Sequence, residues 1–158
     1  MYPVNNLRPV NQRKLLTTAL TGLLVLLFAY TATSKFLDYD KFVFQMRLAP
    51  LPVMKSAAPV LGWLMPVIEI LIAAGLLTSR LRLKALYAAV ILLFVFECYI
   101  AGMLLTGQHL PCTCGGIVSS MSWKQHLLFN AAFIIAGIIA IKQSTNYKSH
   151  VPERQLNT

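Results

Sequence analysis

Four long apolar runs, Leu15–Ser34, Ser56–Ser79, Ala85–Gln108 and Gln125–Ile141, alternate with short segments in which nearly all the charges collect. Each run is free of Lys and Arg and is long enough to cross the ~30 Å hydrocarbon core of a bilayer as a helix, the fourth with little tilt. The first linker breaks the pattern. In SKFLDYDKFVFQMRLAP, aromatic and aliphatic residues recur between charges up to Leu48, which predicts a short amphipathic helix on the outer surface, capped by Asp38 or Asp40 and ended by Pro50 and Pro52. Such a helix could act as a lid. The predicted architecture is an all-α integral membrane protein: a four-transmembrane-helix bundle with one outer-surface helix after the first span.

Finer signals set the boundaries. Ser122 followed by Gln125 fits the S-x-x-Q capping box and places the fourth helix start at Trp123, so the spans read as about 15–34, 56–79, 85–108 and 123–141. From that start Trp123, His126, Leu127 and Asn130 fall on one face. Pro66, inside the second span, deprives the Gly62 carbonyl of its usual partner and bends that helix. Residues 1–14 read as a polar N-terminal tail, 15–142 as the membrane domain and 143–158 as a flexible tail. A competing reading makes Met1–Ala32 a cleaved signal peptide, but the apolar run is long for an h-region and leads into a basic segment, which favours a retained anchor. No internal repeat is visible.

Composition agrees with the pattern. At 57% hydrophobic and 12% charged residues, with a mean hydropathy of +0.65, the chain lies outside the range of soluble domains, and its expected surroundings are the lipid bilayer. A net charge of +9 raises the question of nucleic acid. The basic residues answer it by flanking the spans rather than forming a stripe with aromatics, so no nucleic-acid partner is expected. With the N-terminus inside, nine of the 14 Lys and Arg fall on inner segments and five on outer ones, which favours N-in and C-in topology. The third linker then faces the periplasm from a bacterial inner membrane.

That linker holds the chain's most reactive pattern, HLPCTCGG. Cys112 and Cys114 are an i, i+2 pair, which can close a disulfide only if a turn shortens their separation. Pro111 and Gly115-Gly116 supply one. A ring so small is strained, easily reduced and therefore oxidising. The nearby N-terminus of the fourth helix, with Lys124, His109 and His126 close in sequence, favours the thiolate. The alternative is a pair that merely closes the loop. As a metal reading, His109, Cys112, Cys114 and His126 could offer N and S ligands to zinc or Cu(I), but the spacing matches no familiar pattern and no metal is expected. Cys98, about 12 Å below the outer end of the third span, is either a small packing residue or a third thiol in a relay.

Glu69 and Glu97 lie about 18 and 14 Å deep on hairpin partners. An ionised carboxylate there is costly, so each is expected to be protonated, paired or facing a polar cavity. Either they form a neutral pair locking two helices, or they serve as a proton relay or the polar wall of a quinone pocket with Trp123, His126 and Asn130. Tyr99, Trp63 and Trp123 could line such a pocket or simply anchor the helices at the interface.

SKFLDYDKFVFQM after the first span, PVIEILIAAGLL in the second, and PCTCGG followed by SWKQHLLFN together resemble the MauE/DoxX-type redox-associated membrane proteins, most closely the MauE (methylamine utilisation) branch. The likeness runs from about Ala29 to Ile141. It implies a four-helix membrane protein that matures periplasmic proteins through disulfide formation, working with a thioredoxin-like partner. It also implies Cys112 and Cys114 as the redox pair and Glu69 as the second-span acid, with Lys35, His126 and Asn130 at recurrent positions. The chain lacks the C-x-x-C of the architecturally similar vitamin K epoxide reductase group. The leading expectation is a thiol–disulfide oxidoreductase exchanging electrons with that partner and a membrane quinone. Its rivals are a non-enzymatic assembly factor with structural cysteines and a zinc- or copper-handling protein.

Overall fold

The computed structural model describes residues 7–48, 52–105 and 123–149. Apart from Asp38 and the turn at 78–81, they are helical: α1 Leu7–Leu37, α2 Tyr39–Leu48, α3 Pro52–Leu77, α4 Arg82–Leu105 and α5 Trp123–Ser149. Stretches long and apolar enough to cross a membrane lie at Lys14–Leu37, Val53–Leu77, Arg82–Gly102 and Lys124–Thr145. The architecture is the all-α bundle that the apolar pattern predicts. In hydrocarbon every backbone N–H and C=O must be satisfied within the segment, and a helix does this.

The spanning helices form a ring in which α1 packs on α3 and α5, and α4 packs on α5 and α3. Their inward stripes follow helical spacing. On α1 it is Leu24, Phe28, Thr31 and Lys35, on α3 Glu69, Ile72, Ala73 and Leu76, and on α4 Leu86, Ala89, Leu93 and Ile100. Large exposed side chains such as Leu26, Leu71, Phe94 and Leu128 occupy the perimeter, where lipid is their natural neighbour. Small residues set the closest approaches. A Cβ on Gly137 would stand 2.5 Å from Val90 Cγ2, and one on Gly75 would stand 3.0 Å from the Ala85 Cβ.

Two short connections hold these elements in place. At the 78–81 turn, the Arg82 Nε donates to the Leu76 carbonyl at 3.3 Å and so covers an otherwise open C-terminal acceptor of α3. At Asp38 the chain barely leaves the helix, because the Asp38 N–H still donates to the Ser34 carbonyl at 3.0 Å and the Asp38 carbonyl receives the Phe42 N–H at 3.0 Å. From there α2 folds onto α3: Val43 is buried, and Gly62 gives it room. The Tyr39 hydroxyl donates to the Pro59 carbonyl at 3.2 Å.

Helix ends differ from the ends of the apolar runs. α1 already includes Leu7, inside the expected N-terminal tail, and α5 continues to Ser149, through residues 143–149 of the expected C-terminal tail. Helical hydrogen bonding does not stop where hydrophobicity stops, and Thr17 donates to Gln143 Oε1 at 2.8 Å, tying the two polar ends together. Pro52, expected to end α2, is the first residue of α3, where a missing N–H costs nothing. α3 runs through Pro59 and Pro66 as one helix.

Candidate functional site

Above the apolar stripes, the same four helices turn polar. Lys35 sits two residues before the end of α1, and its ammonium forms an ion pair with Glu69 Oε1 from α3. Both side chains are buried to about the same degree, 11% and 10% exposed, so each charge offsets part of the penalty that the other would bear alone. Thr31, one turn below Lys35, donates to the Phe28 carbonyl at 3.2 Å and lies close to the Glu69 carboxyl. On α2, the Phe42 ring lies with its centroid 5.7 Å from Lys35 Nζ, a cation–π contact from the helix expected to form a lid.

The fourth span completes this layer. His126 and Asn130, one turn apart on α5, are both 4% exposed, so these two members of the predicted face point into the bundle. Lys35 is near enough to His126 for their charges to interact. The Phe96 ring of α4 covers the imidazole at a centroid distance of 5.8 Å. Asn130 faces Glu97. The two carboxyls that sequence placed on hairpin partners thus look to different helices, Glu69 to α1 and Glu97 to α5. Four buried polar atoms in this layer have no hydrogen-bond partner among the described residues: Glu69 Oε2, Glu97 Oε2, His126 Nδ1 and Asn130 Nδ2. Unsatisfied buried groups cost about 1–3 kcal/mol each, and their concentration in one layer, with Asn130 Nδ2 a donor and the two carboxyl oxygens acceptors, singles that layer out as the candidate site.

Other candidates fall elsewhere. Trp63 is 57% exposed and stacks with Phe36 and Tyr39 at centroid distances of 5.5 and 5.3 Å, an aromatic girdle at the α1–α2–α3 junction rather than a wall of the polar layer. Cys98 is exposed on α4, next to Glu97 in sequence but on the bundle's outer surface among the described residues. Tyr99 is half-buried. Trp123 begins the described part of α5, while Cys112, Cys114, His109 and the capping Ser122 lie outside the described residues. Among the described residues there is no group of three or more His, Cys, Asp or Glu placed to hold a metal.

Sequence reasoning passed over Thr31, Phe42 and Phe96. Thr31 carried a usable signal, being four residues before Lys35 on the stripe that continues Leu24 and Phe28. At the α1–α2 junction, Lys41 donates to Asp38 Oδ1 at 2.8 Å. That hydrogen bond, with the nearby carboxylate charge, holds the Lys41 ammonium above its usual pKa.

No curated protein and no solved structure gives a significant match to this chain. A family model does: that of methylamine utilisation protein MauE matches residues 13–143. This match covers the first three spans and all but the last two residues of the fourth, every member of the buried polar layer and the C-x-C segment, and the chain belongs to the MauE family.

Proposed function

We propose that this MauE-family protein is a membrane thiol–disulfide oxidoreductase that serves methylamine utilisation by forming disulfides in periplasmic proteins. The observation that carries the reading is the buried layer of Lys35, Glu69, Glu97, His126 and Asn130, with four unpartnered polar atoms, in the bundle end from which α5 starts. That end is connected directly to the segment bearing Cys112 and Cys114, nine residues before Trp123.

In this proposal the bundle lies in the bacterial inner membrane with both termini inside and the C-x-C segment facing the periplasm. A dithiol on a thioredoxin-like partner attacks the Cys112–Cys114 disulfide. One partner thiolate forms a mixed disulfide and the second resolves it, so the partner leaves oxidised and the cysteines are left as two thiols. Restoring the disulfide removes two electrons and two protons. A membrane quinone supplies an acceptor for both. The polar layer suits such a head group, because Asn130 Nδ2 is a buried donor without a partner, as a carbonyl oxygen requires. Glu69 and Glu97 supply carboxyl oxygens that can hold a proton, Lys35 fixes the orientation of Glu69, and Phe96 limits the room around His126.

Thiol trapping in cells, read as a gel shift, tests the reading. Depleting quinone should accumulate the reduced Cys112/Cys114 pair, and removing the partner should accumulate the oxidised pair. A pair that stays in one state under both treatments ends the redox proposal. Full function in a Cys112→Ser/Cys114→Ser double variant would favour a non-enzymatic assembly factor instead.

A further inference from the structure

The interior of the bundle is divided into two layers along the membrane normal. On each helix one set of polar residues lies on the side of the apolar filling that faces the end where α3 and α5 begin: Thr31 and Lys35 on α1, Glu69 in the middle third of α3, Glu97 on α4, His126 and Asn130 on α5. Toward the opposite end, where α4 begins at Arg82, the interior is filled by Leu24, Phe28, Ile72, Leu76, Leu86 and Leu93. The four segments that make this filling, 22–30, 70–77, 85–96 and 131–141, contain one kind of polar side chain, the tyrosines Tyr30 and Tyr87, and both are exposed. From Leu86 to Leu93 the filling is about 10 Å thick. Leu24, Leu76 and Leu86 are 0% exposed and Phe28 is 2% exposed, so no room for a water file remains between them. On its far side, polar contacts resume with Thr17, Thr21 and Gln143.

We propose that the buried polar layer is a one-sided compartment, reached by water and protons only from the membrane face at which α3 and α5 begin, with the apolar filling as a seal against the other face. The physical ground is the cost of carrying a charge through hydrocarbon without a hydrogen-bonding partner. On the reached side His126 is three residues from the first described residue of α5, about 5 Å, and Lys35 is two residues from the end of α1, about 3 Å, while their partner Glu69 lies about 25 Å along α3 from Pro52. One-sided access of this kind does not depend on the redox chemistry of the cysteines. Where the redox reading holds, protons taken up and released at Glu69 and Glu97 come from and return to one face, and turnover carries no net charge across the membrane.

Accessibility of introduced thiols tests this directly. In a Cys98→Ser/Cys112→Ser/Cys114→Ser background, which has no redox chemistry of its own, Thr31→Cys and Leu76→Cys are exposed to a membrane-impermeant methanethiosulfonate in sealed vesicles of each orientation. Thr31→Cys should react from the α3/α5-start face alone and Leu76→Cys from neither. Reaction of Thr31→Cys from the Arg82 face, its failure to react from either face, or reaction of Leu76→Cys from any side overturns the proposal. Asn130→Cys is the second probe of the polar layer should the first variant misfold. In the unsubstituted chain, proteoliposomes enclosing a pH dye should show no proton leak above that of empty vesicles after an external acid pulse, and a protein-dependent leak also overturns it.

Discussion

Lys35 and Glu69 show how a single buried contact governs the site. Removing one member of a buried ion pair leaves an uncompensated charge, at a cost of about 3–5 kcal/mol, whereas removing both is often nearly neutral. Lys35→Met should therefore lower thermal stability in detergent sharply, and Lys35→Met/Glu69→Met should recover most of the loss. A double variant no more stable than the single one would show that the pair contributes little beyond its packing. Half of this arrangement was readable beforehand. Glu69 stood out because a carboxyl at its depth must be neutralised, but Lys35 is 34 positions away and its pairing required α1 and α3 to be neighbours. The same held for Glu97, whose hairpin position suggested Glu69 while the bundle gave it Asn130.

At the scale of elements, α2 is the least expected contributor to the site. Its period predicted an amphipathic surface helix, and that helix is present, but its role depends on where it docks. Val43 and Tyr39 close over Gly62, where an added Cβ would stand 2.6 Å from Val43 Cγ2 and 2.9 Å from Tyr39 Cε2. Overpacking of this kind costs about 1–3 kcal/mol. Gly62→Val should push α2 away from α3, withdraw Phe42 from Lys35, and make the chain cleavable by trypsin after Lys41 or Arg47 in detergent at protease levels the parent withstands. Equal resistance in both proteins would mean that α2 is held by other contacts. The long helices were more legible, since twenty or so apolar residues without Lys or Arg leave little alternative in lipid. Their ends were less so, because α1 and α5 carry helical hydrogen bonding into polar sequence.

Over the whole molecule, the uneven distribution of Lys and Arg implies an orientation. Nine of the 14 basic side chains would lie inside if both termini do. A reporter active only in the cytoplasm, fused after Ser149, should be active, and one active only in the periplasm, inserted at Thr113, should be active as well. The opposite outcome for either fusion would place the C-x-C segment on the cytoplasmic side and remove the basis for an oxidising role. The same orientation would put the polar layer on the periplasmic side of the apolar filling.

The sequence alone determined that the chain forms four spanning helices, where the last three of them begin to within about a turn, and which polar residues would be costly in a membrane. These are local properties, decided by the run of apolar side chains and by the price of burying a charge. Only the tertiary structure decided which of those residues meet. Helix order around the ring brings α1 against both α3 and α5, and that adjacency joins Lys35 to Glu69 and His126. It also stacks polar residues of four separate helices at one level above a dry core, an arrangement that no single helix encodes.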